Sequence, residues 1–97
     1  MHSPQPAPIH VFVKYVGRIA VMTGRVRESI PLGEPANANH LLDVMEQRYP
    51  GFRPVFDPPG GVFNLTTAII CRRGGQPSFS IVDPQEPLKD GDVLTFW

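Results

Sequence analysis

Only one stretch of this chain has the period of a long helix, and it lies among segments with the character of strands. In GEPANANHLLDVMEQRYPG, Leu41, Met45 and Tyr49 recur every four residues with Leu42 beside them, which makes one apolar stripe. Asp43, Glu46, Gln47 and Arg48 fall mostly off that stripe. Asn37 or Asn39 can cap the helix start, because an Asn side chain accepts from backbone N–H groups that have no partner within the helix. Pro50-Gly51 stops it. A single helix cannot cover both faces of a sheet. It covers one, and the expected architecture is an α+β roll.

The strands follow from composition and alternation. IHVFVKYV, Ile9 to Val16, is rich in β-branched and aromatic residues. Its core face is Ile9, Val11, Val13 and Tyr15; its open face is His10, Phe12, Lys14 and Val16. Gly17 to Arg25 is expected to be a loop bounded by glycines, with Ile19, Val21 and Met22 tucked under it. Val26 to Leu32 alternates apolar and polar, a half-buried strand, and Pro31 places its end at an edge. These two strands make a hairpin. After the helix, FRPVFDPPGGVFNL reads as a long loop packed by Phe52, Val55, Phe56 and Phe63. Thr66 to Arg73 is a third strand with a near-continuous apolar middle, which suits a central position. Gly74-Gly75 turns it, PSFSIVD is a short fourth strand, and Asp90-Gly91 forms the turn before VLTFW.

The first and last strands are expected side by side in the middle, joined in parallel by a long crossover. That is the β-grasp, or ubiquitin-like, fold, with a mixed sheet of four or five strands. MHSPQPAP holds three prolines and reads as an extended lead-in. Residues 1–8 are thus set apart from a single domain at 9–97.

Composition removes several function classes. Nine Lys+Arg match nine Asp+Glu and the pI is near 6.8, so no charge excess draws the chain to nucleic acid or an anionic membrane. One cysteine, Cys71, allows no internal disulfide, and His2, His10 and His40 have no metal-ligand spacing with it or with one another. No apolar run approaches a membrane span, and the N-terminus lacks the marks of a secretory signal. A soluble, cytoplasmic protein without cofactor or metal is expected.

Four stretches taken together resemble the MoaD/ThiS sulfur carriers, which comprise the small subunit of molybdopterin synthase and the thiamine-biosynthesis carrier. They are the opening strand IHVFVKYV, the helix end LLDVMEQRYPGF, the strand and turn TTAIICRRGG, and PLKDGDVLTFW. A leucine, then Asp-Gly-Asp, then an apolar strand is the family's usual ending. The resemblance implies protein partners: an E1-like activating enzyme or a synthase large subunit. In the family a flexible tail ending in Gly-Gly follows the last strand; the activating enzyme adenylates it and sulfur converts it to a thiocarboxylate. This sequence reads DGDVLTFW and ends at Trp97. Gly60-Gly61 and Gly74-Gly75 are internal and read as turns. The expectation is a tailless relative, a protein-binding or regulatory subunit with no catalysis or sulfur transfer of its own. Two readings of the ending stand beside it: a true carrier of molybdopterin or thiamine biosynthesis met without its tail, and a carrier-like domain separated from a larger fusion. A small accessory subunit of a multicomponent oxidoreductase is a further reading, by fold analogy.

The candidate surface is the open face of the sheet. With Leu94 and Phe96 toward the helix, alternation is expected to bring Phe12, Ile69, Cys71 and Trp97 to one side, with Arg73 on the face of Cys71. These five are the candidate partner-binding residues, with the aromatics as anchors. For Trp97 the competing reading is that it folds over the sheet and closes the core. Cys71 reads as a small packing residue, because a reactive thiol needs a base or a positive field beside it. Arg72-Arg73 is expected to be a solvated strand end. Asp83, Glu86, Asp90 and Asp92 read as turn formers and solvated charges. His40 is expected on the surface of the first helical turn, and His10 on the open face, where it can join a partner contact.

Overall fold

A computed structural model describes residues 8–56 and 69–97. The expected strand residues 66–68, Phe63, Gly60-Gly61 and the first seven residues of the lead-in lie outside the described residues. The elements are β1 (Ile9–Tyr15), α1 (Arg18–Thr23), β2 (Arg27–Leu32), α2 (Ala38–Arg48), α3 (Arg53–Phe56), β3 (Ile69–Arg72), β4 (Phe79–Ser80) and β5 (Val93–Phe96). The sheet order is β2-β1-β5-β3-β4. β1 and β5 run parallel at the centre, and the other neighbours are antiparallel. This is the ubiquitin-like β-grasp. Pro31 does lie on the edge strand β2. It faces His10 in a pair that needs no hydrogen bond, so its missing N–H leaves no gap in the ladder.

β1 keeps the expected alternation. Val11, Val13 and Tyr15 are buried, and they meet Ile30, Leu94 and Phe96 in one core with Leu41, Leu42 and Met45 of α2. Asn37 is the residue that caps α2: its side chain accepts from the His40 N–H at 2.8 Å. The next free N–H groups of this helix are taken by the turn segment that leads toward β5. Ala38 N–H donates to the Glu86 carbonyl at 3.0 Å and Asn39 N–H to the Pro84 carbonyl at 2.7 Å. The helix start is thereby fixed to the chain that feeds β5.

Two segments read as loops contain helix. α1 occupies most of the expected Gly17 to Arg25 loop. Glycines at both ends take positive φ values, 63° at Gly17 and 71° at Gly24, which lets the chain enter and leave a short helix sharply. Ile19 and Thr23, four apart, face the core; Val21 and Met22, expected to tuck inward, are exposed. Six residues are too few to show a helical period, so the signal was only the glycine pair. α3 is a short helical turn after α2. Glu46 accepts from the N–H groups of Gly51 and Arg53, at 2.8 and 2.9 Å, and so braces its start. Those N–H bonds hold the Glu46 carboxyl below its usual range. Phe52 and Phe56 are buried as expected, and Val55 is partly buried.

Candidate functional site

One face of the sheet carries α2 and the core; the other is open. Cross-strand register fixes the membership of the open face. Phe12 lies opposite Ser29 on one side and Val93 on the other; Lys14 lies opposite Arg27 and Thr95. Further along, Ile70 pairs with Thr95 and Arg72 with Val93. Phe12 is 47% exposed, although its strand has a neighbour on either side. Around it lies a shallow groove of about 520 Å³, with Lys14, Arg27, Ser29 and Val93 in its lining. Its cations are Lys14 and Arg27. Glu28 also borders it, but that carboxylate turns to the helix side, where it accepts from Arg48 Nη1 at 3.1 Å and from the Tyr49 hydroxyl. The open face is therefore an apolar centre with a basic border, and among the described residues no strand residue there is acidic.

Of the five candidate residues, Phe12 is on this face as expected. Ile69 and Cys71 are not. Ile69 is 4% exposed and Cys71 fully buried, and they pair with Phe96 and Leu94 on the core side. Pairing with β5 sets the phase of β3, and it puts the odd positions inward. Ile70 and Arg72 take the outer places. Arg73 follows Cys71 on the inner side and is held in a bidentate pair with Asp92. Its Nε–H donates to Oδ1 at 2.9 Å and its Nη2–H to Oδ2 at 2.7 Å. The guanidinium also lies over the Phe79 ring, 5.3 Å from its centre. Arg73 is thus a partner within the fold, and only Arg72 of the pair is a solvated strand end. Trp97 is 56% exposed directly after β5, so it does not close the core.

Asp92 is not the solvated charge expected: it is 1% exposed. Burial alone would raise its pKa, but the Arg73 guanidinium and the Lys89 N–H, at 2.9 Å, more than offset that, and the carboxyl stays below its usual range. Asp83 and Asp90 are turn formers as expected. Asp83 accepts from the Gln85 N–H, and Asp90 accepts from the His10 N–H at the start of β1. His40 is less superficial than expected. Its Nδ1 lies 3.0 Å from the Gly33 carbonyl and 2.9 Å from that of Pro35, both acceptors, so this nitrogen carries the proton.

Among the described residues no group of His, Cys, Asp and Glu is placed to hold a metal ion. The Cys71 thiol is pushed up to about 11, first by burial and then by the Asp92 charge, which outweighs the opposing Arg73. A thiol in that state is protonated at neutral pH and is a poor nucleophile. Cys71 should therefore resist a thiol reagent such as 5,5′-dithiobis(2-nitrobenzoate) in the native protein and react at once in denaturant. Fast labelling of the native fold at pH 7 would contradict this burial. No helix among the described residues is long and apolar enough to cross a membrane.

The fold and its open face define a ubiquitin-like β-grasp protein. Among solved structures, the chain is similar to the Haloferax volcanii HVO 2177 protein, with a TM-score of 0.73 at 14% identity over 99% of this chain and 88% of that one. It is also similar to a Pyrococcus furiosus protein assigned provisionally as molybdopterin converting factor subunit 1, at 28% identity and TM-score 0.61, covering 91% of this chain and 94% of that one. A third is small archaeal modifier protein 1 from Methanosarcina acetivorans, at 18% identity and TM-score 0.68, covering 92% and 91%. No protein-family profile matches the sequence. No curated protein matches it either.

Proposed function

We propose that this protein acts by docking on another protein through the open face of its sheet, as a binding or regulatory subunit without sulfur transfer of its own. The observation that carries this reading is Phe12, a large aromatic left uncovered in mid-sheet and bordered by Lys14 and Arg27. An exposed aromatic on a rigid strand is a low-entropy anchor for an interface. The partners to test are those suggested by the resemblance: the cell's E1-like activating enzyme, the large subunit of its molybdopterin synthase, and the larger subunits of its oxidoreductases. Phe12→Asp should weaken such a complex by about tenfold or more in calorimetry, as expected for loss of an anchor, while the circular-dichroism spectrum stays that of the native fold. Equal affinity of Phe12→Asp and the native protein would remove the open face as the basis of binding.

The second reading is a sulfur carrier for molybdopterin or thiamine synthesis. It is favoured by the 28% identity to the Pyrococcus furiosus protein over nearly the whole of both chains. The intact mass of the protein from its native cells separates the two. A mass ending at Trp97 supports the binding subunit. A heavier species ending in a glycine extension, with or without terminal sulfur, supports the carrier.

A further inference from the structure

The two edges of the sheet are unlike. β4 has two residues and β2 has six. A long free edge is a row of unpaired N–H and C=O groups, ready to pair with a further strand. The register says which groups those are. The Tyr15 N–H donates to the Val26 carbonyl at 2.9 Å, so this pair is a bonded one, and bonded pairs alternate from there along the ladder. Val26, Glu28, Ile30 and Leu32 turn their backbone groups to β1. Arg27, Ser29 and Pro31 turn theirs outward. Arg27 and Ser29 each offer an N–H and a C=O without a partner among the described residues, and Pro31 offers a C=O alone.

The same three residues raise exposed side chains on the open face. Arg27 stands directly opposite Lys14, in a pair without hydrogen bonds, where side chains lie closest. Like charges so placed repel. Neither cation has an ion-pair partner among the described residues. Ser29, two positions on, is short, and Phe12 and Val93 line the groove beside it. A strand laid along β2 brings one side chain to the two cations and the next on that face to Ser29 and Phe12. The first place calls for a carboxylate, the second for an apolar group. A second copy of this chain fits poorly. Centring a two-fold β2–β2 pair on Arg27 or Glu28 sets like charges face to face. Centring it on Ser29 or Ile30 puts Pro31, which has no N–H, at a bonding position.

We infer that the partner docks by adding an extended acidic segment to the free edge of β2, with a carboxylate at Lys14 and Arg27 and an apolar residue two positions away beside Phe12. This rests on the open-face reading above and names the kind of segment that face takes. The test uses the whole protein, isotopically labelled for amide exchange, and the blocked peptide Thr-Glu-Thr-Leu-Thr-Glu-Thr, which has the required spacing in either direction. In the free protein the Arg27 and Ser29 amides should exchange fast, and those of Glu28 and Ile30 slowly. Saturating peptide should slow Arg27 and Ser29 by about tenfold or more. The same peptide with lysine for glutamate should not bind, and salt should weaken the binding. Arg27→Glu and Phe12→Asp should each weaken it by about tenfold. Ser29→Pro should do the same, since it removes an outward N–H at a position equivalent to that of Pro31. Slow exchange of Arg27 and Ser29 in the free protein, no binding at millimolar peptide, or an equal response to both peptides would overturn the assignment. Binding that Phe12→Asp abolishes but that leaves the Arg27 and Ser29 amides fast would keep the Phe12 face and overturn the added strand. Full binding by Phe12→Asp with both amides protected would support the added strand and remove the Phe12 face. Protection that grows with protein concentration alone would overturn the assignment in favour of a β2–β2 dimer.

Discussion

Phe96→Ala should destabilise the fold by about 3–5 kcal/mol, read from the midpoint of urea denaturation. Phe96 is fully buried near the end of β5 and is the ring on which three others converge. Its centre lies 5.1 Å from Phe52, 5.1 Å from Phe56 and 6.1 Å from Tyr15. Two of these contacts are edge-to-face, the arrangement that adds to simple burial. The three partners come from β1, the turn after α2, and α3, so truncation opens a void at a junction no single element can collapse into. Trp97→Ala, one residue further, should change stability by no more than about 0.5 kcal/mol, because that ring is exposed. A loss below about 1 kcal/mol for Phe96→Ala would mean that the aromatic cluster closes over the gap.

Arg73→Met should be nearly as severe, about 3 kcal/mol at neutral pH, because it strands the buried Asp92 carboxylate. Asp92→Asn, which leaves no uncompensated negative charge, should be milder. The two differ further in their response to pH. In the native protein the folded pKa of Asp92 is depressed, so its contribution is present above the unfolded value, about 4, and is lost as pH falls through the lower folded value. In Arg73→Met, burial acts with less opposition and the folded pKa rises. The penalty is then largest at neutral pH and fades as acid protonates the carboxyl. The gap between Arg73→Met and the native protein should therefore narrow from pH 7 toward pH 4. A constant gap across that range would show that Arg73 stabilises by packing on Phe79 and not by pairing with Asp92.

The legible parts of the fold are those where one local signal is strong. The alternation of β1, the Asn37 cap, the four-residue period of α2 and the Asp90-Gly91 turn all appear in place. The parallel centre follows from them, since one helix and a long crossover leave few other ways to pair the ends of the chain. The phase of β3 was not legible. IICR carries an apolar side chain at three successive positions, so alternation offers no choice between its faces, and a shift of one residue reverses all of them. Only its pairing with β5, Cys71 beside Leu94, decides. Arg73 and Asp92 were missed for a related reason. They are nineteen positions apart in sequence and meet only because those two strands are neighbours. In the candidate site, Phe12 could be read from β1 alone; its basic border needed the register of β2.

The parallel pairing of β1 with β5 has a mechanical consequence. Both strands run the same way, so the two ends of the folded chain leave the sheet at opposite poles. A pull on those ends slides β1 along β5 and does not peel them apart. The bonds from the Phe12 N–H to the Asp92 carbonyl and from the Val16 N–H to the Phe96 carbonyl, with the ladder between them, then share the load together. Hydrogen bonds loaded side by side yield at higher force than the same bonds opened one at a time. A force applied between the two ends therefore works against the whole β1–β5 ladder at once.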